Sequence, residues 1–142
     1  MKNQTLFRGS KIVAYADGGA RGNPGPAATG VLVGGKEYGE YIGEKTNNQA
    51  EYAAVIFALK KIKQLAGKKN SKDAEVEIRM DSQLVSRQLG GRYKIKESEL
   101  KPLFVDIWNL RLEFKNVYFV HVPREANKIA DRIVNKVLDG RS

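Results

Sequence analysis

Residues 11–43 read KIVAYADGGARGNPGPAATGVLVGGKEYGEYIG and contain three stretches that favour β-strands. The first stretch, residues 11–17, runs into a turn-rich segment of glycines and prolines. Gly34 and Gly35 separate the other two stretches, as the central residues of a β-hairpin would. The pattern therefore predicts an antiparallel meander of three strands at the start of the domain.

Helices and strands alternate in the rest of the sequence. An apolar stripe at helical spacing predicts a helix that begins after Thr46 and ends at Gly67. Strands that are reached through helices favour parallel pairing, so we expect an α/β fold with a mixed sheet and helices on both faces. The further predicted elements are strands at 74–80 and 115–122 and helices at 82–91, 98–114 and 127–138.

Size and composition indicate one soluble domain. The chain has 142 residues, and we expect a single domain over residues 1–142 with flexible ends at 1–10 and 139–142. It has no cysteine, which excludes a disulfide framework, cysteine-bound zinc and thiol catalysis. No apolar run approaches the length of a membrane-spanning helix, so we expect a cytoplasmic protein without membrane contact.

The charge of the chain indicates a polyanion as its partner. Lysine and arginine together number 25 against 16 acidic residues, which gives a net charge of +9. Nucleic acid is the obvious candidate. A group of lysines within residues 60–72 fits this interpretation, but it also fits a solvated helix end that is stabilised by the helix dipole.

Four of the acidic residues occupy unusual positions in the predicted elements. Asp17 and Asp81 end the first and the fourth strands. Glu51 extends the apolar stripe of the first helix, and Asp131 lies beside apolar residues in the last helix. An Asx turn or a helix cap would explain the two strand-end aspartates, and a capping box or a boundary position would explain the other two acids.

Taken together, the four acids favour a metal site. If the first and fourth strands are neighbours, their carboxylates converge and repel one another unless cations neutralise them. Oxygen ligands without histidine or cysteine favour Mg²⁺ or Mn²⁺ over zinc. In a basic protein, such a site is typical of phosphodiester chemistry in which two metal ions activate water and stabilise the leaving oxygen.

The segments that carry these acids resemble the four successive motifs of type 1 ribonuclease H. The segments are ADGGARGNPGP, TNNQAEYAA, MDSQLVSRQL and VPREANKIAD, and together they span most of the chain. The resemblance implies a five-stranded mixed sheet and endonucleolytic hydrolysis of the RNA strand of RNA/DNA hybrids with two Mg²⁺ ions, for which Mn²⁺ would substitute. We expect products with 5′-phosphate and 3′-hydroxyl ends.

The resemblance also assigns roles to individual residues. Asp17 would bridge both metal ions, Glu51 and Asp81 would hold one ion, and Asp131 would hold the other. Asn23 and Thr46 would help to bind a phosphate of the DNA strand. The positions that match hybrid contacts in the family are Gly18, Gly19, Asn23, Asn47, Asn48, Gln49 and Gln83.

The sequence departs from the well-known bacterial members of that family after the fourth strand. The segment GGRYKIKESELKP is short where those members have a long basic protrusion, and no N-terminal hybrid-binding module is visible. Both features resemble the archaeal-like subgroup. We therefore expect Arg92, Lys94, Lys96 and the lysines within residues 60–72 to contribute to hybrid binding, and we interpret Trp108 as a core residue.

A second departure concerns the loop before the last helix. The only histidine, His121, lies inside the last predicted strand and is interpreted as structural. Arg124 follows Pro123, where the chain has left the sheet, so we expect it to assist catalysis by stabilising phosphate charge. An ordinary surface ion pair would also explain this arginine.

Three functions remain open from the sequence. The first is hydrolysis of RNA/DNA hybrids by a monomeric enzyme. The second is a non-catalytic nucleic-acid-binding module with the same fold, which the loss of any of the four acids would have favoured. The third is a nuclease of the same fold that also acts on double-stranded RNA.

Overall fold

The computed structural model describes residues 11–141, and these form a five-stranded sheet in the order β3-β2-β1-β4-β5. The predicted flexible end at 1–10 and the terminal Ser142 lie outside the described residues. The strands are β1 (Lys11–Ala20), β2 (Gly25–Val33), β3 (Lys36–Lys45), β4 (Glu75–Met80) and β5 (Asn116–His121).

The strand pairing confirms the predicted mixed sheet. β1, β2 and β3 pair antiparallel, and Gly34 and Gly35 join β2 to β3 with φ angles of 59° and 73°. β4 pairs parallel with both β1 and β5, because helices carry the chain back between these strands. β3 and β5 are therefore the two edges of the sheet.

Helices cover both faces of the sheet, as predicted. α1 packs on β1 and β2 from one face, and the last helix packs on β2 and β3 from the other. The helices are α1 (Asn47–Asp73), α2 (Gln83–Leu89), α3 (Lys101–Arg111) and α4 (Lys128–Asp139), with 3₁₀ turns at Ser98–Leu100 and Arg124–Asn127.

Two boundaries differ from the prediction for local reasons. α1 does not end at Gly67. Gly67 interrupts the helix with a φ of 82°, and helical structure resumes to Asp73 because the side chains of Asn70 and Ser71 bond the freed carbonyls of Ala66 and Gly67. β1 continues beyond residue 17, because the glycines that indicated a turn pair with β2 instead.

The interpretation of Trp108 as a core residue is wrong. α3 packs against α1 through Ile107, which is buried. Trp108 is the next residue, so its side chain points about 100° away around the helix. The Trp108 side chain is 41% exposed. It stacks on Phe104, with ring centroids 5.4 Å apart, and lies under the guanidinium of Arg111.

The main core lies between the sheet and α1. Ile12, Ala14 and Ala16 of β1 pack with apolar residues of α1, among which Tyr52 is fully buried. The Tyr52 hydroxyl donates a 2.7 Å hydrogen bond to Gln88 of α2, so its polar group is satisfied inside the core. None of the helices within residues 11–141 is long and apolar enough to cross a membrane.

Glycines let the helices approach the sheet at the end where β1 finishes. A Cβ atom at Gly18 would lie 2.0 Å from the Ala50 carbonyl oxygen of α1. On the opposite face, a Cβ atom at Gly30 would lie 2.4 Å from the Ala130 carbonyl oxygen of α4. Both contacts are with backbone atoms, which cannot be relieved by a change of rotamer.

We predict that Gly18→Ala lowers the free energy of unfolding by more than about 3 kcal/mol, because the added methyl forces α1 away from β1. Urea denaturation of the metal-free protein measures this change. Gly19→Ala is the matched control, since its Cβ atom would meet only the Val134 side chain, at 3.4 Å. Equal stability of the two variants would contradict the predicted close packing at Gly18.

Candidate active site

Two carboxylates lie together because β1 and β4 are parallel neighbours. Tyr15 pairs with Arg79, so residues two positions further along each strand meet at the same edge of the sheet. These residues are Asp17, whose exposure is 7%, and Asp81, which is partly buried directly after β4. The structure thus brings together the two strand-end aspartates that the sequence singled out.

The start of α1 adds a third carboxylate to this edge. A capping box fixes the first turn: the Thr46 hydroxyl accepts from the Gln49 backbone N–H, and the Gln49 side chain accepts from the Thr46 backbone N–H. Glu51 then lies next to β1, where its Oε1 atom accepts a 2.9 Å hydrogen bond from the Gly18 backbone N–H. Helix α1 therefore presents Glu51 to the end of β1.

The structural explanations considered for these acids do not hold. Gln49, not Glu51, completes the capping box of α1. Ser82, not Asp81, caps α2, because its hydroxyl accepts from the Val85 backbone N–H. Asp17 lies inside a paired strand, opposite Gly30, and starts no turn. The three carboxylates are thus free of local capping roles.

The three carboxylates can hold a metal ion. Asp17, Glu51 and Asp81 each offer one oxygen, and these oxygens lie within 4.8 Å of one another. A donor set of oxygens alone suits a hard divalent cation.

The electrostatics of the cluster favour a bound cation. Burial, with smaller contributions from the charges of Asp81 and Asp131, raises the pKa of Asp17 to about 7. Burial raises the pKa of Glu51 well above its usual range, and the Asp17 charge adds to this effect. Burial also raises the pKa of Asp81, against the opposing charge of Arg124. A cation would stabilise the charged form of all three groups.

The fourth predicted carboxylate lies close to the cluster but outside the tight group. Asp131 is exposed on α4, and the Asn135 side chain donates to its carbonyl oxygen at 3.2 Å and to its Oδ2 atom at 3.5 Å. Its charge contributes to the raised pKa of both Asp17 and Asp81, as a carboxylate near the cluster would. Asp131 therefore borders the site from the opposite face of the sheet.

The turn between β5 and α4 contributes two further side chains. Arg124 is exposed, and its charge lowers the pKa of Asp81, which places the guanidinium near the cluster. Asn127 is 1% exposed and donates a 3.0 Å hydrogen bond to the Ala16 carbonyl of β1, and its side chain also lowers the pKa of Asp81. The sequence pattern predicts Asn127 only as the start of a helix, because its burial and its hydrogen bond to a distant residue leave no local signal in the sequence.

The predicted substrate-binding residues lie around the same edge, and several brace one another. The Asn47 side chain accepts a hydrogen bond from the Ala20 backbone N–H, and the Asn23 side chain accepts one from the Asn47 backbone N–H, both at 2.9 Å. These bonds fix the loop between β1 and β2 against the start of α1. Gly18 and Gly19 belong to the end of β1, whereas Thr46 and Gln49 form the capping box.

Other predicted contacts lie on α2 and on the segment that follows it. Gln83 is exposed in the first turn of α2, and Lys94 and Lys96 are exposed in the loop after this helix. The Asn48 amide donates to Glu97 at 3.0 Å, which ties this loop to α1. The loop thus extends the candidate binding surface sideways from the carboxylates.

Comparison with known proteins defines the family. A family model described as reverse transcriptase-like matches residues 17–137. The ribonuclease HI of Halobacterium salinarum is 42% identical over 93% of this chain and 66% of the relative. The ribonuclease H of Methylococcus capsulatus is 30% identical over 90% of this chain and 89% of the relative. The chain belongs to the ribonuclease H family.

A solved structure agrees with this assignment. LC11-RNase H1 in complex with an RNA/DNA hybrid superposes with a TM-score of 0.85 at 48% identity, covering 92% of this chain and 98% of that chain. The resemblance to type 1 ribonuclease H is therefore confirmed. The chain spans less than two thirds of several relatives, including 36% of the mycobacterial proteins that it matches.

We predict that Asp17→Asn stabilises the metal-free protein at neutral pH. Asp17 has a raised pKa of about 7 in the folded state and an ordinary value near 4 when unfolded. The unfolded parent therefore loses its proton first, and the stability of the parent falls as the pH rises from about 4 to about 7. The Asp17→Asn variant has no titratable group at this position, so its stability does not fall in this way.

Thermal denaturation in EDTA across that pH range measures the effect. The melting temperature of Asp17→Asn should exceed that of the parent by an amount that grows with pH. Asp106→Asn, at an exposed position on α3, is the control and should show a constant difference. A melting temperature of Asp17→Asn below that of the parent at neutral pH would contradict the predicted repulsion.

Proposed function

We propose that the protein hydrolyses the RNA strand of RNA/DNA hybrids as a divalent-metal-dependent endonuclease. The observation that carries this proposal is the group of Asp17, Glu51 and Asp81, whose oxygens lie within 4.8 Å of one another at the sheet edge of a ribonuclease H family member. Asp131 completes the set of four carboxylates that the motifs predict. Their presence favours an enzyme over a non-catalytic binding module.

The side chains fit Mg²⁺, with Mn²⁺ as a substitute. Asp17 belongs to the same group of oxygens as Glu51 on α1 and Asp81 after β4, and we assign to it the carboxylate that two ions would share. Glu51 and Asp81 would hold one ion with it, and Asp131 would hold the other. Two such ions would supply an activated water and would stabilise the leaving 3′ oxygen, which gives 5′-phosphate and 3′-hydroxyl products.

The surroundings of the carboxylates suit recognition of a hybrid. Backbone groups of Gly18 and Gly19 and side-chain amides of Asn48 and Gln83 lie around the sheet edge, and such groups can read 2′-hydroxyls in a minor groove. Contacts to 2′-hydroxyls distinguish the RNA strand from the DNA strand. The relative LC11-RNase H1 has been solved with an RNA/DNA hybrid, which agrees with this substrate class.

Positive charge provides the sequence-independent part of binding. The net charge of the chain is +9, and the exposed Lys94 and Lys96 lie in the loop that follows α2. Asn23 and Thr46 lie at the loop between β1 and β2 and at the cap of α1, and we assign them to a phosphate of the DNA strand. Lys94 and Lys96 would bind further phosphates of this strand.

We predict that the protein cleaves the RNA of a labelled RNA/DNA hybrid with Mg²⁺ and not with EDTA. Asp17→Asn and Asp81→Asn should each lower kcat by about a thousandfold or more, because each removes a ligand on which transition-state stabilisation depends. Gel analysis of the labelled RNA measures both effects. Asp106→Asn should cleave at the parental rate.

The same assay separates the alternatives. Double-stranded RNA and double-stranded DNA serve as parallel substrates, and equal cleavage of double-stranded RNA would redefine the substrate class. Binding of the hybrid without any cleavage in Mg²⁺ or Mn²⁺ would identify a non-catalytic module. Full activity in EDTA would exclude the metal mechanism.

We predict that Arg124→Ala lowers kcat by about 10- to 1000-fold, because the lost guanidinium no longer stabilises phosphate charge near Asp81. Metal binding, measured by calorimetry, should persist, because arginine is not a ligand. Arg132→Ala is the matched control, since Arg132 pairs with Glu37 at 2.8 Å on the surface. If folded His121→Ala loses turnover and Arg124→Ala does not, the histidine has the assisting role instead.

A further inference from the structure

A groove of about 600 Å³ lies along the free edge of β5, between this strand, the end of α2 and α3. It lies beside the carboxylate cluster and contains none of its four acids. None of the described residues that line it is acidic. Its main polar and aromatic lining residues are Arg87, Arg92, Trp108, Arg111 and His121.

The charge of the groove indicates a polyanion as the occupant. Three arginines from two helices and the connecting turn face the same space without an acidic partner among the lining residues. Arg87 is held by a 2.6 Å hydrogen bond to the Tyr93 hydroxyl, whereas Arg92 is exposed. The Nε atom of Arg111 is buried and has no hydrogen-bond partner among residues 11–141. The terminal guanidinium nitrogens of these arginines are donors that suit a phosphate oxygen.

The aromatic side chains favour a nucleic acid over other polyanions as the ligand of the groove. Phe104, Trp108 and Arg111 form a continuous stack along α3, and the Arg111 guanidinium lies 3.5 Å from the centre of the Trp108 ring. The Trp108 side chain is 41% exposed and lines the groove, so this stack is open to an incoming ligand. Guanidinium planes and exposed aromatic rings bind unstacked bases, which an acidic peptide does not offer.

The groove begins where the active site ends. His121, the last residue of β5, lines the groove and pairs with Met80, which immediately precedes Asp81. A strand that leaves the carboxylates therefore enters the groove at His121. Its planar groups favour a single strand, because the faces of paired bases are stacked inside a duplex and cannot contact them.

We propose that this groove binds a single-stranded RNA extension of the strand that the enzyme cleaves. This inference rests on the proposed function, because the RNA strand is the one held at Asp17 and Asp81. Bases of the extension stack on the exposed Trp108 and on the guanidinium of Arg111, and Arg92 neutralises its phosphates. The enzyme thereby favours hybrids at a junction with single-stranded RNA over blunt hybrids.

Fluorescence anisotropy in EDTA tests the groove without cleavage. A labelled RNA octanucleotide should bind at least about fivefold more tightly than the matching abasic ribose-phosphate octamer, because stacking requires bases. Arg111→Gln and Arg92→Gln should each weaken RNA binding about fivefold or more. The controls Leu112→Ala and Lys101→Gln, at exposed positions of α3 and its end outside the groove, should bind as the parent does.

Cleavage assays then test the link to the active site. With Mg²⁺, a hybrid that carries an RNA extension at its 5′ or 3′ end should show a KM about fivefold or more below that of the blunt hybrid. For each variant, the KM of the extended hybrid is compared with the KM of the blunt hybrid. The two groove variants should show equal KM values for the two hybrids. If no hybrid is cleaved, the proposed function is wrong. RNA binding by the groove is still tested, because the anisotropy measurement does not depend on cleavage.

Three outcomes would overturn the inference. Equal binding of RNA and the abasic octamer would show that charge alone acts. Tighter binding of an oligoglutamate peptide than of RNA would identify the groove as a site for an acidic protein segment. Equal losses in the groove variants and the control variants would place RNA binding elsewhere on the surface.

Discussion

The contact between the end of β1 and the start of α1 at Gly18 determines the geometry of the carboxylate site. No side chain fits between Gly18 and the Ala50 carbonyl, so the helix lies directly against the strand. The Gly18 N–H is then close enough to bond the Glu51 carboxylate. Because Asp17 is the adjacent residue of β1, two acids with raised pKa values lie side by side. Burial of the apolar core between the sheet and α1 offsets the cost of this repulsion.

On the opposite face of the sheet, glycines likewise allow a helix to approach the strands closely. α4 lies against Gly30 of β2 and Gly39 of β3, where a Cβ atom would approach backbone or side-chain atoms of the helix within 3 Å. This approach fixes the start of α4, and Asn127 ties that start to the Ala16 carbonyl of β1. Two helices from opposite faces therefore converge on one sheet edge, and each contributes acidic side chains to it.

Local patterns made much of the architecture predictable. The meander follows from strand alternation around Gly34 and Gly35, and the carboxylate set follows from acids at strand ends within recognisable motifs. The errors concern features that depend on tertiary packing. The glycines after Asp17 indicated a turn, yet the chain pairs with β2 there, and Trp108 was assigned to the core because its helix face depends on how α3 meets α1. Asn127 was overlooked because its hydrogen bond joins residues 111 positions apart.

The close contacts at the glycines also make the arrangement of the carboxylates independent of the charge on the protein surface. The positions that hold the acids in place depend on missing side chains and on backbone atoms, and neither carries a net charge. The exposed lysines within residues 60–72 lie on the outer part of α1, far along the helix from Gly18. The surface can therefore exchange basic for acidic residues, as adaptation to a different ionic environment demands, while the carboxylates of the candidate site keep their arrangement. The ionic character of this protein and its active-site geometry can thus evolve independently.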